Sequence, residues 1–151
     1  MLTLLLLLPL ALATATPKRC TTPSDTRPWI LSNITAFYST TPNTTAFTFH
    51  FTDPNAGLEL DTDCACHFNT TTASGRYYGC EAGEVEFAVS SGTGTETVEV
   101  QRGYGDACQP APYNEVKAVG MASLNLTRVT TAEGTVVGRQ AELEMEITEM
   151  A

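Results

Sequence analysis

The chain has 151 residues and a formal net charge of −9, with 17 acidic side chains against 8 basic ones. That length suits one domain of ordinary size, able to bury roughly two-thirds of its unfolded surface in a single core. The basic residues are scattered singly apart from Lys18-Arg19, so no cationic patch exists to neutralise phosphates, and nucleic acid is not expected as a partner.

Residues 1–15 read as a secretory signal peptide. Leu4 to Leu8, Leu10 and Leu12 form its apolar core, and the small-residue sites Ala11-Leu12-Ala13 and Ala13-Thr14-Ala15 follow. The core is shorter than the ~20 residues of a bilayer-spanning helix, so no membrane association is expected once it is cleaved. Residues 16–19 form a short candidate propeptide ending in Lys18-Arg19, a dibasic pair of the kind processing proteases cut. Cleavage there leaves Cys20 at the new N-terminus of a single β-rich domain, residues 20–151.

From Trp29 onward, apolar and polar residues alternate with the period of two that defines a half-buried strand. Trp29 to Tyr38 is extended but carries apolar residues on both parities, which predicts two-sided burial or a bulge. Trp29 itself is expected in the core, where large aromatics contribute most burial. In Phe47-Thr48-Phe49-His50-Phe51-Thr52 three aromatics share one face, and Asp53-Pro54-Asn55 with Gly57 supplies the turn. Val85, Phe87 and Val89 alternate against Glu84, Glu86 and Ala88, then Ser91-Gly92-Thr93-Gly94 turns the chain into Val98 and Val100 as a hairpin. Val116 to Arg128 is extended and irregular, while Thr40 to Thr45 and Thr130 to Thr135 read as loops. Ala141 to Ile147 contains good helix formers, but its strict alternation decides for a strand, with Leu143, Met145 and Ile147 inward and Glu142, Glu144 and Glu146 in water. About eight or nine short strands without crossover helices predict an all-β fold: a single-domain antiparallel β-barrel or sandwich.

Five cysteines in an exported chain read as a disulfide framework with one sulfur left over. Cys64, Cys66 and Phe68 share one strand face while Asp63, Ala65 and His67 share the other, so His67 points away from both sulfurs and a metal centre is not expected. Cys64 and Cys66 are therefore read as core-facing half-cystines paired with Cys80 and Cys108. Two connectivities are open: Cys64–Cys80 with Cys66–Cys108, or the reverse. Four sequons, at Asn33, Asn43, Asn69 and Asn125, are candidates for N-glycosylation, although a Thr-rich chain supplies one or two by chance.

No constellation marks an enzyme, and neither catalytic residues nor a cofactor are expected. His50 and His67 both fall on outward faces, no Gly-x-Ser-x-Gly turn occurs, and the acid pairs Asp61/Asp63 and Glu84/Glu86 read as solvated surface. Of Tyr77 and Tyr78, one ring is expected to pack beside Cys80 and the other to face solvent.

The segment Trp29 to Phe37, the Phe47 to Asn55 strand and turn, Tyr77-Tyr78-Gly79-Cys80-Glu81 and the Val85-Glu86-Phe87 strand together resemble secreted fungal proteins typified by the major Alternaria allergen. The likeness spans roughly Cys20 to Ile147. It implies a compact β-barrel in the apoplast or on the cell wall or spore surface, eliciting plant defence or engaging host proteins. It also implies a disulfide-linked homodimer, with Cys20 in the position of the bridging N-terminal cysteine. The chain departs from that pattern: a second local bridge in the family starts at the position of Cys108, yet no cysteine stands near Ala118 and Cys66 is additional. The reading is a secreted effector or elicitor-like protein that binds a host extracellular or cell-wall protein. A small-ligand-binding barrel, which needs an open apolar pocket, and an extracellular hydrolase, which needs a buried acid or histidine in a cleft, are its rivals.

Overall fold

Strand propensity governs the fold throughout the residues described by a computed structural model of the chain, 26–40, 43–69, 76–91, 96–105, 110–112, 114–132 and 135–150. Ten strands follow one another among them: β1 (Trp29–Thr40), β2 (Asn43–Asp53), β3 (Leu60–Asn69), β4 (Tyr78–Gly79), β5 (Val85–Ser91), β6 (Glu96–Gly105), β7 (Glu115–Leu124), β8 (Thr127–Thr130), β9 (Val136–Met145) and β10 (Ile147–Met150). They form two five-stranded antiparallel sheets, in the orders β3-β2-β1-β9-β8 and β10-β7-β6-β5-β4. The sheets pack face to face and do not close, so of the two expected architectures the sandwich is the one formed.

The alternation seen in the sequence sets which side chains meet between the sheets. Phe47, Phe49 and Phe51 of β2, Trp29, Leu31, Ile34 and Ala36 of β1, and Cys64 and Cys66 of β3 face Val85, Phe87, Val98 and Val100 of the second sheet, all buried. Rings interlock across the gap: Phe87 meets Phe49 edge-on at 4.9 Å between centroids and lies 6.2 Å from Phe47, while within its own sheet it lies 6.0 Å from Tyr78. Trp29 and Phe51 meet edge-on at 5.3 Å, which places Trp29 in the core as expected. Each such pair adds ~0.5–1.5 kcal/mol beyond the area it buries.

The irregular stretch at Trp29 to Tyr38 resolves into a bulge. The β1–β2 register shifts by one between Ser32 and Thr35, and Asn33 at the shift takes a left-handed backbone with φ 54°. Asparagine is among the few non-glycine residues that tolerate that region. The Asp53 turn also forms as read, with Gly57 at φ 82° and the Leu58 amide donating to the Asn55 carbonyl at 2.9 Å.

Two segments read as single strands are each divided between the sheets. Ala141 to Ile147 runs in the first sheet as far as Met145, bends at Glu146, and continues from Ile147 in the second. Val116 to Arg128 likewise leaves the second sheet at Leu124 and enters the first at Thr127. A glycine on a facing strand makes room at each crossing. A Cβ on Gly120 would come within 2.8 Å of Met145 Cγ, and one on Gly138 within 3.0 Å of Leu126 Cδ1. These divisions and the short β4 and β8 raise the strand number above the eight or nine expected.

At the opposite edge the sheets are joined covalently. Cys64 of β3 bonds Cys80, just beyond β4, over a sequence separation of 16. The Glu81 amide donates to the Asp63 carbonyl at 3.0 Å and the Ala82 amide to Thr62 Oγ1 at 2.9 Å. Closing a loop of that size adds roughly 3 kcal/mol in the chain-entropy model, and the bond is compatible with an extracellular protein.

Cys66 is a correction to the expected framework, because it is a free thiol buried in the core rather than a half-cystine. Residues two apart along a strand are separated by about 6.6 Å, so only one of Cys64 and Cys66 can stand beside Cys80. Burial pushes the Cys66 thiol up to about 11, partly offset by a hydrogen bond with the Phe47 backbone. Cys20, Cys108, the signal segment and Lys18-Arg19 lie outside the described residues.

Candidate functional site: the outer faces and the polar latches

Polar side chains pointing inward are the first place to look for chemistry, because burying them costs free energy unless they are paired. Arg102 of β6 is 4% exposed and Asp53 at the end of β2 is 3% exposed, and the two form an ion pair across the gap between the sheets. The second terminal nitrogen of Arg102 reaches Glu84 at 3.4 Å, and its guanidinium also donates to the Leu58 carbonyl at 2.5 Å. The other partners of Asp53 are the Trp29 indole N–H at 2.9 Å, and the Asn55 amide N–H and side-chain nitrogen at 2.9 and 2.7 Å. Both carboxylate oxygens are thus occupied, which leaves Asp53 as a latch rather than a free acid.

A second latch sits toward the other end of the molecule. The Tyr38 hydroxyl of β1 donates to Glu96 of β6, and Arg128 of β8 pairs with Glu96 at 3.0 Å while its guanidinium lies over the Tyr38 ring. Burial and the Glu96 carboxylate both hold the Tyr38 phenol well above the ordinary tyrosine range. Both latches tie one sheet to the other, and neither was visible in the sequence beyond the turn at Asp53. In the sequence Arg102 is one scattered cation among eight basic residues.

The histidines lie outward as predicted. His50 on β2 is held between two carboxylates of β3, with Nδ1 2.7 Å from Asp63 and Nε2 3.5 Å from Asp61. The hydrogen bond to Asp63 is the main cause of its raised pKa. His67 is exposed on the face opposite Cys66, and no cluster of metal-ligating residues occurs among the described residues. Between the sheets Trp29, Phe47, Phe49, Phe51 and Phe87 pack together in the core.

The outer surface has two sides, and they differ. On the second sheet the register aligns Ala88, Glu99 and Met121 in one row and Glu86, Gln101 and Val119 in the next. Met121 is 54% exposed. Tyr77, 37% exposed, donates its hydroxyl to Glu99 while Lys117 lies 6.0 Å above its ring. Lys117 also stands 3.9 Å from Glu86. Partial burial of the ring, then the Glu99 carboxylate, push the Tyr77 phenol up to about 12. Tyr78 turns inward onto Phe68 and Phe87, so the tyrosine pair divides as the sequence suggested.

On the first sheet the apolar residues gather at one end. Phe37, 42% exposed, aligns with Val137 of β9, and Val137 with Val129 of β8, which is 62% exposed. A shallow groove runs beside them between Thr127, Thr131 and Arg139. Of the four sequon asparagines, Asn33 and Asn125 are exposed, while Asn43 and Asn69 stand at the ends of β2 and β3.

Fold and surface together define a disulfide-linked antiparallel β-sandwich with an aromatic core. No family model matches the chain, and no curated protein matches it.

Proposed function

We propose that the chain is a small exported fungal protein of the effector or elicitor type, acting by binding a host extracellular or cell-wall protein through the outer face of its second sheet. The observation that carries this reading is the mixed patch around Tyr77 and Met121, rimmed by Glu86 and Glu99. Tyrosine and methionine are enriched at protein interfaces, where a rigid ring supplies contact area at low entropic cost and an adaptable thioether fills irregular gaps. Glu84, Glu86, Glu99 and Glu115 outnumber Lys117 on or beside this face, so the complementary partner presents a basic rim around an apolar centre. Export is supported by the leader, the sequons and the disulfide; the fungal assignment is supported by the resemblance to the Alternaria allergen group. Catalysis is not part of the proposal: the buried acid Asp53 is fully paired and both histidines lie outside the core.

The test is affinity capture from host extracellular fluid on purified, oxidised protein, beside the single variant Met121→Lys. A partner retained by the native face, released by salt and lost with Met121→Lys supports the proposal. Equal recovery on both proteins, or on neither, overturns it. Cys20 is proposed to link two copies, which non-reducing mass spectrometry checks directly: a mature monomer with an unpaired Cys20 contradicts the dimer.

A further inference from the structure

We propose that Asn33 is an N-glycosylation site and that the first sheet is the glycan-bearing side of the molecule, leaving the second sheet's outer face bare. The inference rests on the export half of the reading above and is independent of any partner. The chain contains six asparagines, Asn33, Asn43, Asn55, Asn69, Asn114 and Asn125, and four of them have threonine two residues later. The two exceptions have visible structural places: Asn55 is buried, hydrogen-bonded to Asp53 and to the Arg27 backbone, and Asn114 lies in the turn before β7.

Topology places all four sequons on or beside strands of the first sheet. Asn33, Asn43 and Asn69 belong to β1, β2 and β3 of the first sheet. Asn125 sits at the crossing from β7, and its threonine, Thr127, is the first residue of β8 in that same sheet. None lies within a strand of the second sheet. The two apolar patches are thereby distinguished. Asn43 and Asn69 stand at the end of the first sheet near Phe37, whose register partner Ala46 is three residues from Asn43, and Thr127 lines the groove beside Val129. Tyr77 and Met121 have no sequon on their sheet.

Asn33 is the strongest of the four sites. Its side chain is exposed, and the bulge with its left-handed backbone lifts it out of the regular pleat on a central strand. Tolerance of that backbone explains an asparagine at the bulge but does not require Thr35 beyond it. In the transfer, the Asn33 side-chain nitrogen forms a bond to the anomeric carbon of a lipid-linked oligosaccharide pyrophosphate. The carbon–oxygen bond to the pyrophosphate breaks, the lipid pyrophosphate departs, and one amide proton is lost to base.

The experiment uses the full chain, with its own leader, made in a eukaryotic secretory host. Enzymatic release of N-glycans in heavy-oxygen water converts each occupied asparagine to labelled aspartate, which peptide mass spectrometry locates. Label at Asn33 is expected in most secreted molecules, and Thr35→Val, which keeps Asn33 and a β-branched strand residue, should remove one glycan's mass without changing the melting temperature. Secreted protein with unlabelled Asn33 overturns the site while leaving export intact. Protein retained in the cytosol overturns both.

Discussion

The two sheets are built from the same alternating pattern, yet they hold the core in different ways. The first contributes three alternate phenylalanines on β2 and the only tryptophan, whereas the second answers with Phe87, four valines and an inward arginine. Hydrophobic burial is non-directional and leaves sliding of one sheet over the other weakly opposed. The latches Asp53–Arg102 and Tyr38–Glu96–Arg128 are directional and occupy different ends of the interface. The comparison teaches that apolar matching brings the sheets together while polar pairing sets their alignment.

Arg102→Ala is the largest expected break, because it leaves the Asp53 carboxylate buried without its cation. A loss of about 3–5 kcal/mol is expected by denaturant titration. The double variant Asp53→Asn with Arg102→Met removes the charge imbalance and should recover much of that loss; no recovery would mean that the pair does more than neutralise itself. Phe87→Ala, at the centre of the interlocked rings, is expected to cost a similar ~3–5 kcal/mol. Replacing Cys64 and Cys80 together by serine should cost roughly 3 kcal/mol, and Cys66, buried and with its thiol pKa raised, should react only slowly with a thiol reagent while the protein stays folded.

The smallest effect is at His50, whose folded pKa is raised chiefly by Asp63. A raised pKa means that its contribution is fully present below the ordinary histidine value near 6.5 and fades as pH rises through the folded value. The side chain is 36% exposed, so solvent screening keeps the effect to a few tenths of a kcal/mol. His50→Gln should lower stability at pH 5 and leave it unchanged at pH 9; an equal loss at both values would contradict the carboxylate clamp.

Much of this fold is legible in local pattern, because period-two alternation at Phe47 to Thr52 and Val85 to Val89 fixes the inward set whatever the topology. Cys64, Cys66 and His67 fall on the predicted faces for the same reason. What alternation does not encode is where a strand changes sheet. The bend at Glu146 keeps Met145 and Ile147 inward on either side of it, so the sequence reads as uninterrupted, and the only trace is the glycine at position 120 facing it. Arg102 was hidden because its position continues the inward series of Val98 and Val100, a place where an arginine is rarely tolerated and only a structure supplies its partner. The choice of Cys64 as the partner of Cys80 was equally out of reach, since spacing alone does not say which of two cysteines in one strand meets it. Of the candidate surface, one exposed ring of the Tyr77-Tyr78 pair is expected from the sequence, but Met121 enters only once the β6–β7 register places it beside Glu99.

The most direct test of the working face is hydroxyl-radical footprinting of the protein alone and with its captured partner, using the accessible side chains as built-in probes. Tyr77 and Met121 should become protected in the complex while Phe37, comparably exposed but on the first sheet, keeps its reactivity. Protection of Phe37 with Tyr77 and Met121 unchanged would place the partner on the opposite side of the sandwich and contradict the account.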